Sequence, residues 1–371
     1  MKDMFSSTNR NRKLGDTNEL SPNGVQGDEV AGVTRVELES RDNGYRDYCK
    51  TKLYQELRPL LVCLRMFGLF FRRTVDGEGR SYMEPVVLWC FLISFTLCLN
   101  VVRSFTVYRL TDDFDNVMVQ KLLFTIWSAE CAFKGVLFFW ICFKKKALQR
   151  FFKEWDSTCG NTRLDRMSLI LMKKYIILTF LFIICNSIVF TLILMYVPVL
   201  EKIYLEVIWR NAVNFDNKII FKITMSVLAM LNSASSMFPV SVFVVLSCAV
   251  GKRLKVFTDE LVDAIAADDF HGRIEDFRLR HQNLCILVDL LDKIFAPMLA
   301  VIYIANIPMF CLVLYTMVVT IDIHISLVLI NLFWLCFILL QLTIVSITAA
   351  WVNVKVSIHT CIFLSDKFLN T

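Results

Sequence analysis

The sequence predicts an all-α fold, a polytopic bundle of membrane-spanning helices. Two observations carry this prediction: hydrophobic residues make up 56% of the chain, and they gather into six long stretches separated by polar segments. Each stretch exceeds the roughly 20 apolar residues that a helix needs to cross a hydrocarbon core of about 30 Å. None of them alternates with the period of two that membrane-spanning strands require. The six predicted spans cover about residues 85–108, 117–143, 174–198, 219–250, 284–319 and 325–354.

The distribution of Lys and Arg predicts the orientation of these spans. Fourteen basic residues precede the first span, nine lie in 144–174 and six lie in 251–283. The alternate segments 103–116, 199–218 and 320–324 hold two, three and none. Because positive charge marks the cytoplasmic side, we predict that the N-terminus is cytoplasmic. The basic residues are divided among three segments, so the net charge of +6 indicates topology and not affinity for nucleic acid.

Residues 1–52 differ from the rest of the chain in composition. They are polar and charged without periodicity, which predicts a disordered cytoplasmic tail and no cleavable signal peptide. Residues 53–371 then form the transmembrane domain.

The fourth and fifth apolar stretches are longer than a bilayer requires, at about 32 and 36 residues. Between them, Leu254, Phe257 and Leu261 recur at helical spacing, and Gly272 is the expected break. We therefore predict that helices four to six extend into the cytosol, the fourth and fifth as a packed stalk. The apolar stripe of that stalk is compatible with subunit association and with packing inside one chain.

The sequence lacks the motifs of catalysis and of cofactor binding. It has no Gly-rich phosphate loop, no Gly-x-Ser-x-Gly and no His-Glu-x-x-His. The 13 cysteines lie mostly within the spans, the four histidines are isolated, and no pair has metal-ligand spacing. We therefore expect no enzymatic activity, no metal and no cofactor, and we interpret the thiols as core packing.

Ionisable residues inside spans are costly and are therefore candidates for function. Glu130 and Lys134 lie four residues apart in the second span, on one helix face. The pair is compatible with a group that faces a ligand cavity or a gate, and with a self-neutralising pair between helices. Asn232 begins a polar interruption of the fourth span, which suits either a pocket wall or close helix approach.

The last two spans contain further polar groups. Pro297, Asn306 and Pro308 predict a kinked fifth span. Asn331, Trp334 and Gln341 follow at spacings of three and seven, so they share one stripe of the sixth span. This stripe suits a pocket lining as well as polar contacts between helices.

Three stretches resemble a known family, the insect-type gustatory and odorant receptor superfamily. Leu57–Leu61 has the sequence LRPLL and continues to Phe67–Leu69, like the segment before that family's first span. Arg280–Leu284, with the sequence RHQNL, continues to Leu287–Asp289 and is similar to its long fifth helix. Ile347–Asn353, with the sequence ITAAWVN, resembles the cytosolic end of its sixth helix. The likeness covers about residues 53–371, together with the topology and the helix lengths.

The resemblance implies a receptor of the plasma membrane with a cytoplasmic N-terminus. Members of the superfamily are seven-span, tetrameric, ligand-gated cation channels, and their small-molecule ligands bind in the extracellular half of the bundle. We therefore expect a tastant-like ligand, contacts with membrane lipid, and homo- or hetero-oligomers. The sequence shows no seventh apolar span before Thr371, and the family's Thr-Tyr and Gln-Phe signature is absent. We accordingly expect that the pore-lining helix is missing here, either in a fragment or truncated isoform or in a protein that does not conduct alone.

Other functional classes remain open at this point. A non-conducting scaffold or modulatory subunit is the main alternative, because that role does not need the last helix. A G-protein-coupled receptor would need an external N-terminus and seven spans, and a secondary transporter usually shows internal repeats.

The resemblance places ligand-contacting residues in the outer halves or at mid-depth of spans two to six. Polar and aromatic residues there would supply ring walls and a few orienting hydrogen bonds, although interface or core packing also explains each aromatic. The candidates are Trp127, Glu130, Asn232, Tyr303, Asn306, Asn331 and Trp334.

Overall fold

The structure of the protein is a computed structural model, and it describes eight ranges of the chain and one single residue. These are residues 51–70, 85–106, 108, 116–143, 147–159, 166–196, 218–267, 270–320 and 325–369. All belong to one compact unit, Arg46–Thr371. The tail predicted to be disordered lies outside the described residues except for its last two, Thr51 and Lys52, which begin the first helix.

The described residues form eight helices and no strand, which confirms the all-α prediction. In chain order they are α1 (Lys52–Met66), α2 (Pro85–Phe105), α3 (Asn116–Phe143), α4 (Ala147–Cys159), α5 (Arg166–Tyr196), α6 (Lys218–Ala266), α7 (Phe270–Thr320) and α8 (Ile325–Leu369).

Six of these helices, namely α2, α3, α5, α6, α7 and α8, are long and apolar enough to cross a membrane. They correspond one to one with the six predicted spans. The ends of α2 and α3 lie within a few residues of the predicted ends. In contrast, α5 begins at Arg166 and not near residue 174, because its first two turns are helical although they carry basic residues.

The last three helices are far longer than a bilayer is thick. α6, α7 and α8 contain 49, 51 and 45 residues, so each is roughly 65–80 Å long at about 1.5 Å per residue. The sequence placed the break between α6 and α7 at Gly272, and this was wrong: the turn lies at Ala267 and α7 begins at Phe270. α7 continues through Pro297 and Pro308 as one helix.

The polar connections of the sequence contain two shorter helices, α1 and α4. α4 is amphipathic and buries Leu148, Phe151, Phe152 and Trp155, at the spacing of one helical stripe. Thr51 caps the start of α1, and its side chain accepts a hydrogen bond from the Tyr54 backbone N–H at 3.3 Å. The two helices pack together, and the rings of Tyr54 and Phe152 meet edge to face at 5.6 Å.

α6 is the central helix of the bundle. In its most apolar stretch 89% of the residues are buried, compared with 22% in α5 and 28% in α8. It contacts α3, α5, α7 and α8. Near its middle, Gly251 lies so close to the indole of Trp351 on α8 that a side-chain carbon at this position would overlap the six-membered ring. The other spans therefore surround α6 and turn their apolar outer faces away from it.

Candidate functional site

A cavity lies between α3, α5, α7 and α8. Its volume is about 540 Å³ with its open mouth included. We call it the aromatic cavity. The residues that line it are Gln120, Leu123, Phe124 and Trp127 of α3, Phe190 of α5, Met309 and Val313 of α7, and Asn331, Trp334 and Ile338 of α8.

Three aromatic rings form one wall of this cavity. Trp127 and Trp334 meet edge to face with their ring centroids 5.0 Å apart, and Phe124 meets Trp127 in the same way at 5.9 Å. Edge-to-face contacts of this kind are favourable because the positive ring edge meets the negative ring face. The wall joins α3 to α8 and presents flat apolar surfaces to the cavity.

The Phe124 ring is also held from α2. The Arg103 guanidinium lies 5.7 Å from its centroid, at cation–π distance. Two nitrogens of Arg103 donate to the side-chain oxygen of Asn100 at 2.8 and 3.2 Å. Asn100 in turn donates to the Ser128 hydroxyl on α3 at 3.3 Å. A chain of polar contacts thus fixes the position of one wall residue.

Two amide groups in the cavity lack partners. The side-chain nitrogens of Gln120 and Asn331 are buried and have no hydrogen-bond partner within the described part of the chain. Asn331 is only 4% exposed. A buried polar group without a partner costs about 1–3 kcal/mol. A bound molecule with an oxygen acceptor would remove this cost.

A buried polar cluster lies next to the cavity. It consists of Glu130, Lys134, Ser236 and Asn306, all almost completely buried. Glu130 and Lys134 form an ion pair along α3. Lys134 also donates to the Ser236 hydroxyl of α6 at 3.0 Å, and the Asn306 amide of α7 donates to the Glu130 carboxylate at 3.0 Å. The cluster therefore joins three helices around one neutralised pair.

α3 and α6 approach closely at this level. The Ser235 hydroxyl donates to the Cys131 carbonyl of α3 at 2.8 Å. A side-chain carbon at Gly135 would lie 2.9 Å from the same hydroxyl oxygen, so the small residue permits the approach. The polar interruption that begins at Asn232 thus supplies hydrogen bonds between helices, one of the two roles that the sequence left open.

The seven candidate residues occupy three kinds of position. Trp127, Asn331 and Trp334 line the aromatic cavity. Glu130 and Asn306 belong to the polar cluster and do not line it, and the two remaining candidates, Asn232 and Tyr303, lie elsewhere. Tyr303 shares a hydrogen bond of 2.7 Å with Ser346 of α8. Asn232 is buried in α6, and neither of its amide atoms has a partner among the described residues.

Sequence reasoning missed most of the α3 wall. Gln120, Phe124 and Trp127 follow at intervals of four and three, which places them on one helix face, so this stripe was detectable. Met309 and Val313 of α7 and Phe190 of α5 are ordinary apolar residues in an apolar stretch. No signal in the sequence distinguishes them from lipid-facing residues.

The chemistry of the cavity suits binding. Its walls carry amide, aromatic, thioether and aliphatic side chains, and none of these titrates near neutral pH. Among the described residues no group of three His, Cys, Asp or Glu side chains could hold a metal ion. The lining can therefore orient a molecule by shape and by amide hydrogen bonds.

Comparison with known proteins gives matches at the level of structure. No protein-family model matches the chain, and no curated protein matches its sequence. The insect olfactory receptor OR5 from Machilis hrabei is similar, with a TM-score of 0.65 and 13% identity over 83% of this chain and 82% of that one. The structure of OR5 in complex with eugenol gives a TM-score of 0.58 and 11% identity, over 86% of this chain and 90% of that one.

These matches confirm the family resemblance at the level of the fold, since at this identity a structural likeness concerns the fold alone. The described residues form an all-helical bundle with six helices long enough to span a membrane, and the chain has the fold of an insect olfactory receptor.

Proposed function

We propose that this protein is a chemosensory receptor of the insect gustatory and olfactory superfamily, which binds a small molecule in the aromatic cavity. The observation that carries the proposal is the pair of unpartnered amide nitrogens, those of Gln120 and Asn331, in the cavity that the tryptophan pair also lines. The fold likeness supports it, because a receptor of the same fold has a structure in complex with eugenol. Eugenol is the compound in that OR5 structure, and it serves here as a first probe.

The lining suggests the chemical class of the ligand. Flat ring faces and aliphatic side chains favour an aromatic or cyclic apolar body. The amides of Gln120 and Asn331 favour one or two oxygen acceptors on that body. We therefore infer that the ligand is an apolar ring compound with a hydroxyl, ether or carbonyl oxygen. The proposal includes the assignment of this receptor to the gustatory type.

The polar cluster connects the ligand-binding cavity to other helices of the bundle. Trp127 in the cavity wall and Glu130 in the cluster are less than one turn apart on α3. On α7, Met309 of the cavity and Asn306 of the cluster have the same spacing. A ligand that moves either helix would change the Asn306–Glu130 contact. We propose that this contact takes part in gating a cation conductance.

The cellular setting of the proposal follows from the sequence and the resemblance. The basic segments favour a cytoplasmic N-terminus, and the superfamily implies the plasma membrane and a tetramer. Many apolar residues on the outer faces of α2, α5 and α7 are exposed. Such faces suit contact with lipid and with neighbouring subunits.

The test has a binding arm and a current arm. In the first arm, the purified full chain is melted with methoxyphenols such as eugenol and with hydrocarbon analogues of the same shape. We expect an oxygen-bearing compound to raise the melting temperature more than its analogue. Asn331→Leu and Gln120→Leu should weaken its binding about tenfold, as the loss of one hydrogen bond predicts. Asn232→Leu is the matched control, because it removes a buried amide outside the cavity.

In the second arm, whole-cell current is recorded from cells that express the same variants at the surface. Ligand-evoked cation current that is lost in Asn331→Leu would support the receptor channel. Binding without current would instead favour a non-conducting modulatory subunit. If no compound binds, or if the cavity variants bind as well as the control, the proposed ligand site is wrong.

A further inference from the structure

A second cavity contains a more isolated polar group than the first. The Gln341 side chain on α8 is 2% exposed. Neither its amide nitrogen nor its amide oxygen has a hydrogen-bond partner in the described ranges. Nearby, the Thr179 and Ser241 hydroxyls satisfy each other with a hydrogen bond of 2.7 Å. The fold thus leaves one complete amide, with donor and acceptor, without a partner in an apolar setting.

Gln341 lies in a crevice between α5, α6 and α8, which we call the lateral crevice. Its volume is about 490 Å³ with its opening included. The lining is apolar except for Gln341, the Tyr175 phenol and the Thr179–Ser241 pair. The remaining lining residues are Leu178, Phe182, Met237, Val240, Phe337, Leu340 and Ile344. None of these residues lines the aromatic cavity.

A ring stack separates the two cavities. Phe182 of α5 stacks on Phe337 of α8 with centroids 4.0 Å apart and planes inclined by 14°. The same Phe182 ring stacks on Phe333 at 6.1 Å. These rings join α5 to α8 at one end of the lateral crevice, while the buried residues Val240 and Ser241 of α6 form its floor.

The lateral crevice opens toward the surface that faces lipid. Leu178 of α5 and Leu340 of α8 line it and are 44% and 48% exposed. Both helices are candidate membrane spans, so exposed leucines near the middle of these spans would contact acyl chains in a bilayer. A molecule dissolved in the bilayer could therefore enter sideways without crossing water.

We propose that the lateral crevice binds a sterol-like membrane alcohol, with its hydroxyl on the Gln341 amide. A hydroxyl is the group that fits best, because it accepts from the amide N–H and donates to the amide oxygen at once. An ester or ketone would satisfy only the donor. A rigid ring body suits the apolar walls and loses little conformational freedom on binding. The inference needs only the crevice and insertion in a membrane, and it does not depend on receptor activity.

The test uses the full chain in lipid nanodiscs with a photoreactive cholesterol analogue. After illumination, labelled peptides are mapped by mass spectrometry. We expect labels on the α5 segment around Leu178 and on the α8 segment around Leu340. Excess cholesterol should compete with the label, whereas cholestane, the hydrocarbon without the hydroxyl, should compete at least about tenfold less.

Four variants make the test specific. Gln341→Leu should lower labelling of both segments about tenfold, and Gln341→Asn should keep part of it. Asn331→Leu alters only the aromatic cavity and should label like the unmodified chain. Asn232→Leu controls for the loss of a buried amide elsewhere.

Each unfavourable outcome overturns the proposal. Equal competition by cholesterol and cholestane would show that the hydroxyl has no partner in the crevice. Unchanged labelling of a folded Gln341→Leu chain, or labels only on other helices, would do the same. If Gln341→Leu fails to fold, the comparison of the two competitors on the unmodified chain still decides.

Discussion

Asn306 on α7 donates a hydrogen bond to the Glu130 carboxylate on α3 at 3.0 Å, although 176 positions separate the two residues. The same amide nitrogen donates to the Ile302 carbonyl at 2.9 Å. The carboxylate also pairs with Lys134. One buried anion is thus shared by a cation of its own helix and an amide of another, and the stability of the bundle depends on all three.

Removing one charge of the Glu130–Lys134 pair should lower the melting temperature more than removing both charges. Glu130→Gln leaves Lys134 buried without its anion, which costs about 3–5 kcal/mol. The double variant Glu130→Gln, Lys134→Met removes both charges and should melt at a higher temperature than the single variant. Thermal melting followed by size-exclusion chromatography measures this. Asp289→Asn breaks an exposed pair with Lys293 at the same spacing and should change the melting temperature little.

The tryptophan wall should set the size of accepted ligands. Trp334→Ala removes the edge-to-face partner of Trp127 and widens the aromatic cavity. We expect small ring compounds to bind about tenfold more weakly, since an aromatic contact of this kind contributes about 0.5–1.5 kcal/mol. Bulkier analogues should bind more tightly, because the cavity is wider. Competition binding over a size series measures the shift. Trp140→Ala, on the exposed face of α3, is the control, and an unchanged size preference would contradict the assignment.

The contact of Gly251 with Trp351 predicts a reciprocal pair of variants. Gly251→Ala places a methyl group against the indole, and overpacking of this kind costs about 1–3 kcal/mol. Trp351→Leu in the same chain should restore part of the loss, because the smaller side chain makes room. Melting temperatures of the two single variants and the double variant provide the measurement. Additive losses would mean that the two residues do not meet.

The Cys159 thiol at the end of α4 should react slowly with alkylating agents. Burial raises its pKa from 9.0 to about 11, more than Arg253 and Arg280 lower it. Only the thiolate reacts, so the alkylation rate of the folded chain should keep rising to about pH 11. In the chain denatured by detergent it should level off near pH 9.

The same pKa shift has a consequence for stability. Between pH 9 and 11 the unfolded chain has lost the Cys159 proton and the folded chain still binds it, so the free energy of unfolding falls as the pH rises.

Mass spectrometry of the peptide that contains Cys159 measures the predicted alkylation rates, with Cys159→Ser as the control. Equal profiles for the folded and denatured chains would contradict the burial of this thiol.

The sequence was sufficient to predict the spans, because the bilayer requires a long apolar run for each crossing. It was less informative where apolar residues are sparse. α4 was taken as part of a basic loop, although Leu148, Phe151, Phe152 and Trp155 follow at helical spacing. The basic residues around them indicate the side of the membrane on which this segment lies and carry no information about its secondary structure.

The candidate site was predicted only in part. Trp127 and Trp334 were found because polar and aromatic residues stand out in a span. Met309 and Val313 were missed because which apolar residues face a cavity depends on how α7 packs against α3 and α8. Trp334 and Gln341 share a stripe of α8, yet they line two different cavities, because Phe337 stacks on α5 between them.

The two helices that the tryptophan pair joins, α3 and α8, are held in different ways. α3 is fixed to α6 and α7 by the hydrogen bonds of Ser235, Lys134 and Asn306. Along the cavity, α8 contributes ring and aliphatic surfaces, and the bond that joins it to α7, between Tyr303 and Ser346, lies about four turns beyond Asn331. Among the described residues, α3 thus has more hydrogen bonds to its neighbours at the level of the cavity than α8 has. We expect an entering molecule to tilt α8 about this bond like a lever, so that spin labels on α3 and α8 move apart while labels on α3 and α6 keep their distance.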